Sequence, residues 1–307
     1  MKLVIALGGN ALMQRNEPLG MDVQWKNARV AAGALAAVAR QHQLILTHGN
    51  GPQVGLLAMQ AEAFKGAQPY PFDVMGAATE GMIGYILEQE LGNILGYDVP
   101  VATLLTRVEV DANDPEFTDP SKFIGPTFER EQIEALIAEY GWTFRQDGRK
   151  WRRVIASPQP RRILWHRPIR WLLDNGAVVI CAGGGGIPVA TQDGQRMEGV
   201  EAVIDKDRAS SLLAVQIPAD LFIIATDVAG VFEHYDTPQQ RVLRRVTPTE
   251  LTAEQFAKGS MGPKIEAASR FVRQTGKPAA IGSLAEITDI VAGKAGTWIV
   301  PEGDGPA

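Results

Sequence analysis

Several short segments of this chain set glycine beside residues suited to holding phosphate. In Gly259-Ser260-Met261-Gly262-Pro263-Lys264, a glycine-rich loop leads into the helical periodicity of Ile265–Val272 and puts Lys264 in the first turn. Free N–H groups at a helix start, a loop that can approach closely and a lysine together form a receptor for phosphate. The segment is not the G-x-x-x-x-G-K-[ST] loop, because Pro263 separates Gly262 from Lys264 and Ile265 has no hydroxyl. Two further loops follow apolar runs of strand length: Gly8-Gly9-Asn10, and His48-Gly49-Asn50-Gly51-Pro52-Gln53. Glycines there let backbone N–H groups reach a ligand, and Asn10 and Asn50 add uncharged amides. Tight strand-to-helix turns use the same residues, so these loops alone do not distinguish a binding site from a turn. Val203-Ile204-Asp205-Lys206-Asp207 opens another helix. Helix capping explains both aspartates but not Lys206, a cation at the unfavourable end of the dipole.

These loops need strands to hold them. Lys2–Leu7, Gln43–Thr47, Val101–Thr106, Val178–Cys181, Leu221–Ala225 and Ala279–Ile281 read as strands. Helices are expected over Val23–Arg40, Val54–Phe64, Gly76–Gly96, Arg208–Gln216 and Lys264–Thr275. The alternation predicts an α/β three-layer sandwich with a mostly parallel central sheet. Ligands of such sheets bind beyond the carboxyl ends of the strands, where these loops lie. Gly183–Gly186 follows a strand too tightly to be a linker and reads as another loop at the same edge. Asp111–Arg162, rich in Asp, Pro, Gly, Arg and aromatics, breaks the rhythm and reads as a small protruding subdomain.

Composition narrows the function. At 307 residues, 45% hydrophobic and 21% charged, the chain is long enough for two domains with a large core. A net charge of −5 provides no general field for nucleic acid or anionic membrane, so neither is an expected partner. The single cysteine, Cys181, excludes a disulfide framework and reads as a buried strand residue. Met1–Leu7 is too short for a secretory apolar region, no stretch spans a bilayer, and a cytoplasmic location is expected. Gly49-x-Gly51-x-x-x-Gly55 nearly matches a dinucleotide fingerprint. Pro52 sits where that helix should open, and Asp73 lies in a Pro-Tyr-Pro-Phe setting, so a nicotinamide dehydrogenase is set aside.

Taken together, the segments resemble the carbamate kinases, a branch of the amino-acid kinase superfamily, from Met1 to about Val300. The resemblance rests on Ala6–Leu12, His48–Gly55, Lys122–Pro126, Arg153–Pro158, Gly183–Pro188, Ala202–Asp207 and Gly259–Lys264. It implies the amino-acid kinase fold and reversible phosphoryl transfer between carbamoyl phosphate with ADP and carbamate with ATP. It also implies a homodimer, Mg²⁺ arriving on the nucleotide, and no protein cluster dedicated to a metal. Residues 1–217 would bind carbamate or carbamoyl phosphate, with the subdomain at about 111–162 covering the site, and residues 218–307 would bind ATP or ADP.

On that resemblance Gly8, Gly9, Asn10, Gly49, Asn50 and Gly51 would contact carbamate and the transferred phosphoryl. Lys206 and Lys264 would neutralise its oxygens, Lys122 would reach in from the subdomain, and Asp205 would orient the two inner lysines. Thr226, Asp227, Met261 and Gly262 would line the nucleotide pocket beside Lys264 and Lys206. Such a site needs no serine, cysteine or histidine nucleophile, because carbamate brings its own anionic oxygen and the protein supplies position and charge. Other superfamily kinases for acyl or nucleotide substrates, and a carbamoyl phosphate sensor without turnover, are the alternatives. ATP formation during the breakdown of arginine or another nitrogen compound fits the resemblance, as does supply of carbamoyl phosphate.

Overall fold

The computed structural model describes residues 1–9, 17–18, 20–64, 69–191, 196–251, 256 and 261–304. An eight-stranded sheet runs through the molecule, in the order Arg245–Val246, Thr297–Ile299, Ala279–Ser283, Leu221–Thr226, Lys2–Leu7, Gln43–His48, Val178–Cys181 and Val101–Leu104. Every neighbouring pair is parallel except Ala279–Ser283 with Thr297–Ile299. The four strands on one side of the Lys2–Leu7/Leu221–Thr226 seam come from residues before 182, and the four on the other from residues after 220.

Near-continuous apolar strands mark a sheet covered on both faces. Leu3, Ile5 and Leu7 point to a layer containing Ala28, Leu35, Ile83 and Leu87, from the helices Met21–Ala39 and Phe72–Leu95. Val4 and Ala6 point the other way, toward Ile169, Leu213, Ile265 and Phe271. Those residues belong to the helices His166–Asp174, Lys206–Gln216 and Met261–Thr275. Cys181 is buried in this second layer, as expected. The long helix Phe72–Leu95 is mainly a core element, since Ile83, Ile86, Leu87 and Leu91 are all buried.

Three expectations shift. The segment Val101–Thr106 divides: Val101–Leu104 ends the main sheet, while Arg107–Val110 joins a second sheet with Ile187–Thr191, Met197–Gly199 and Pro160–Ile163. Helices begin earlier than apolar periodicity alone shows, at Met21, Gly51, Phe72, Lys206 and Met261. Gly51–Ala63 opens with Pro52 inside its first turn. Proline is compatible there, so Pro52 does not weigh against a helix after the second strand. The subdomain holds an antiparallel sheet, Lys122–Phe128, Lys150–Ile155 and Thr143–Asp147, crossed by the helix Arg130–Tyr140. Arg153 anchors it to the body, lying 3.8 Å over the Trp142 ring and 5.1 Å over that of Phe72.

Candidate active site

The carboxyl ends of the adjacent strands Lys2–Leu7 and Gln43–His48 bring the glycine loops together. Gly8 N–H donates to the Ala225 carbonyl at 2.8 Å, and Gly49 N–H to that of Leu7 at 3.1 Å. A Cβ on Gly49 would stand 3.2 Å from Gly9 backbone atoms and 3.5 Å from the Lys206 stem. The loop after the second strand is thus pressed onto the loop after the first, with the Lys206 stem against Gly49. Gly9 and Gly51 face open space. Thr226 ends the strand beside Gly8, and its hydroxyl donates to Asp227 Oδ1 at 3.0 Å.

Three lysines converge on two carboxylates at this edge. Lys206 is the first residue of its helix and donates to Asp207 Oδ1 at 2.5 Å. Lys264, in the first turn of the Met261–Thr275 helix, donates to Asp207 Oδ2 at 3.2 Å. One carboxylate therefore holds a lysine on each oxygen and ties the two halves of the molecule together. Lys122, from the subdomain, donates to Asp205 Oδ2 at 3.1 Å. Asp205 Oδ1 caps the helix, accepting from the N–H groups of Asp207 and Arg208 at 3.0 and 3.3 Å. Burial raises the Asp205 carboxyl, but Lys122, Lys206 and the helix N–H group outweigh it and hold it at about 2. Burial pulls the Lys206 ammonium below its ordinary value, opposed by Asp207 and assisted by the like charge of Lys264.

The lysine-bearing helices are fixed to one another and to the sheet. Arg208 pairs with Glu266 at 3.0 Å, and the Ser211 hydroxyl donates to the Ala267 carbonyl at 2.8 Å. Ser210 donates to the Lys206 carbonyl at 2.6 Å and shares a second 2.6 Å hydrogen bond with Thr47 in the second strand. These bonds set the spacing of Lys206 and Lys264.

Behind the loops lies a buried polar layer. Asn50 donates to Thr79 Oγ1 at 2.9 Å, and Gly184 packs against the same amide, where a Cβ would come within 2.1 Å of Nδ2. His48 donates from Nδ1 to the Gly49 carbonyl at 3.1 Å, while its buried Nε2 has no partner among the described residues. Burial holds this imidazole down to about 4 and therefore neutral. Glu80 accepts from Gly183 N–H at 2.9 Å and Thr106 N–H at 3.1 Å. Its burial outweighs those bonds and pushes the carboxyl up to about 8.

Of the residues expected at the site, Gly8, Gly9, Gly49, Lys122, Asp205, Lys206 and Lys264 meet at one edge, with Thr226 alongside. Met261 and Gly262 share the first turn with Lys264; Gly262 is buried and Met261 packs against the core. Asn50 is buried with one amide hydrogen committed to Thr79. Asn10, Gly259 and Ser260 lie outside the described residues. One pairing differs from expectation: Asp207, not Asp205, bridges the inner lysines, because Asp205 is taken up by the helix N–H groups and Lys122. Asp207 was visible in Asp205-Lys206-Asp207, but sequence does not show which carboxylate turns toward which cation. Thr79 and Glu80 gave no signal, being polar positions within a helix read by its apolar residues.

The Amino acid kinase family model matches residues 1–283. A carbamate kinase of Rhizobium meliloti (strain 1021) is 56% identical over 301 residues, spanning 97% of this chain and 93% of the relative. One of Haemophilus influenzae is 52% identical over 305 residues, spanning 99% and 98%. The solved carbamate kinase from Giardia lamblia bound to AMP-PNP superposes with a TM-score of 0.90 at 38% identity, covering 98% of both chains.

Proposed function

The chain belongs to the amino acid kinase family, and we propose that it interconverts carbamoyl phosphate plus MgADP with carbamate plus MgATP. The phosphorus–oxygen bond to the carbamoyl group breaks as one to the ADP β-phosphate oxygen forms, and carbamate leaves with its electron pair as an anion. No protein nucleophile and no proton transfer are needed, so the work is alignment and charge compensation. The observation that carries the reading is the pairing of Lys206 and Lys264 on the single carboxylate of Asp207, beside the Gly8–Gly9 and Gly49 backbone.

In this reading Gly8, Gly9, Asn10, Gly49, Asn50 and Gly51 hold the carbamoyl group and the moving phosphoryl. Lys206 and Lys264 stabilise the oxygens of that phosphoryl, and Lys122 approaches from the subdomain toward the carbamoyl end. Asp207 sets the inner lysines and Asp205 sets Lys122. Thr226, Asp227, Met261 and Gly262 line the nucleotide side, giving residues 1–217 the carbamoyl end and 218–307 the nucleotide. Asp205 and Asp207 are engaged by lysines, and among the described residues no three His, Cys, Asp or Glu side chains gather as a metal group. Mg²⁺ would thus be held mainly by nucleotide phosphates and water, supplying charge neutralisation of the β- and γ-oxygens.

The reading includes a cytoplasmic homodimer that forms ATP during breakdown of arginine or another nitrogen compound. No helix among the described residues is long and apolar enough to cross a membrane. Supporting a second copy, the edge strand Val101–Leu104 is half-buried along its length, with Tyr85 and Leu105 exposed nearby. The test is ATP formation from ADP, Mg²⁺ and carbamoyl phosphate, with acetyl phosphate as control donor. Turnover with carbamoyl phosphate that drops 10²–10³-fold in Lys206→Ala is expected, the cost of removing one transition-state electrostatic contact. No turnover by folded protein would overturn the reading, and equal use of acetyl phosphate would reassign the substrate.

A further inference from the structure

Thr79 and Glu80 stand side by side on the Phe72–Leu95 helix, both buried, and they grip opposite sides of the loop cluster. Thr79 accepts from the Asn50 amide, while Glu80 accepts from Gly183 and Thr106 N–H groups. Thr106 Oγ1 in turn accepts from Ala182 N–H at 3.0 Å, the residue that begins the glycine turn in a left-handed conformation. Gly184 sits directly against the Asn50 amide, and Gly185 against the Ile204 carbonyl just before Asp205. The glycine turn therefore touches both the Asn50 loop and the segment that leads into Lys206, and Glu80 is the side chain that holds it. We propose that Glu80 is a positioning residue for the carbamoyl end of the reaction, fixing the Gly183–Gly186 turn and through it the Asn50 loop.

Glu80 does this as the neutral acid. Among the described residues, the titratable groups around it are the Cys181 thiol, from the Val178–Cys181 strand, and the neutral His48 ring, from the Gln43–His48 strand. His48 and Glu80 flank the same point: a Cβ on Gly183 would lie 2.3 Å from His48 Nε2 and 3.1 Å from Glu80 Cγ. The facing helix Met21–Ala39 offers Arg29, but its guanidinium is committed to Glu90. With no cation among the described residues beside it, the carboxyl keeps its proton through neutral pH and ionises at about 8. An anion created there would draw water or shift the turn. The consequence falls on the carbamoyl half, because none of the groups it holds belongs to the nucleotide half.

This inference rests on the carbamate kinase reading, and its test separates the two. Glu80→Ala, Glu80→Gln and Thr106→Val are compared with wild type for KM of carbamoyl phosphate and of ADP, from neutral to alkaline pH. Glu80→Ala and Thr106→Val are expected to raise KM for carbamoyl phosphate about tenfold or more while leaving KM for ADP within twofold. Glu80→Gln, which keeps size and polarity, is expected to restore KM to within about threefold. The wild-type rise in KM for carbamoyl phosphate above about pH 8 should be absent from Glu80→Gln. A substrate-independent readout is the infrared carbonyl band of a protonated buried carboxyl, present at pH 7 in wild type and missing from Glu80→Gln. Equal changes in both KM values, a Gln variant as impaired as Ala, or the same alkaline limb in wild type and Gln would each overturn the proposal. If the enzyme used another phosphoryl donor, the infrared band would still report on Glu80 while the proposed reaction failed.

Discussion

Replacing Asp207 by Asn isolates what the bridging carboxylate does. The cluster holds Lys122, Lys206 and Lys264 against Asp205 and Asp207, a formal balance of +1 (three cations less two anions). Asp207→Asn makes it +2 and leaves the Lys206 and Lys264 heads, whose side chains are only 13% and 16% exposed, facing each other with no anion between them. At an effective dielectric of about 20, attraction over the 2.5 and 3.2 Å contacts is about 7 and about 5 kcal/mol. Desolvation of the ions offsets much of that sum. Breaking a buried pair from one side leaves a net loss of about 3–5 kcal/mol. For a chain of 307 residues, unfolding entropy near 2 cal/mol/K per residue converts this to a Tm lower by about 5–8 °C. The assay is thermal unfolding with and without MgADP, beside turnover of carbamoyl phosphate. Nucleotide phosphates replace the missing anion, so ADP should raise the Tm of Asp207→Asn more than that of wild type. Turnover should fall about 10²–10³-fold, because the lysines lose their fixed geometry. A variant with wild-type Tm, turnover and ADP response would refute the bridging role.

Other consequences follow from the same geometry. Lys264→Ala should lose kcat as Lys206→Ala does. Lys122→Ala, on the half-exposed subdomain strand, should mainly raise KM for carbamoyl phosphate; equal kcat losses in all three would contradict the division of labour. Glu80 keeps its proton in the folded chain up to about pH 8, while the unfolded chain loses it near 4.5, so Glu80 lowers stability progressively across that interval. His48 stays neutral in the folded chain down to about 4, while the unfolded chain protonates near 6.5, so its contribution is lost as pH falls between those values. The two slopes cancel between about 4.5 and 6.5, and urea unfolding should show stability declining from about pH 6.5 to 8 in wild type but not in Glu80→Gln. Gly184→Ala would put a methyl within 2.1 Å of the Asn50 amide at φ +65°. It should cost about 2–4 kcal/mol from overpacking and left-handed strain and raise KM for carbamoyl phosphate more than KM for ADP.

The sequence reveals the parts of this molecule that are fixed by one dominant force. Val178–Cys181 and Leu221–Ala225 are legible as strands because burial on both faces demands continuous apolar runs. The subdomain strands are half-exposed, and Lys122–Phe128 carries a bulge, so no period marks them. Lys206 is legible because a cation at a helix start is electrostatically misplaced. Its partner is not, since Asp205 and Asp207 are equivalent by type and only the fold decides that one caps the helix while the other bridges. Glu80 is invisible for a related reason. Its helix is recognised by Ile83, Ile86, Leu87 and Leu91, and a carboxylate among them reads as solvent-facing until the glycine turn packs over it.

The two carboxylates also bear on how such a site can run in both directions. Three bare lysines would bind every phosphate in the cycle tightly, which lowers KM without accelerating the chemical step. Asp205 and Asp207 offset part of that charge in the resting enzyme, so phosphate oxygens must compete for ammonium groups that already have partners. That competition favours the species whose oxygens reach all three lysines at once. On the proposed roles, the moving phosphoryl of an in-line transition state would lie between the carbamoyl side, where Lys122 would enter, and the nucleotide side, where Lys264 would enter from the other half. A ground-state phosphate attached at either end sits closer to one of these than to the other. Carboxylates that weaken ground-state contacts more than the central one would thus make the site selective for the transferring group. Asp207→Asn should accordingly bind ADP more tightly while turning over more slowly, and a lower Kd for ADP measured by titration calorimetry alongside the reduced kcat is the result to look for. Weaker ADP binding together with lower kcat would instead mean that Asp207 acts only to hold the lysines in place.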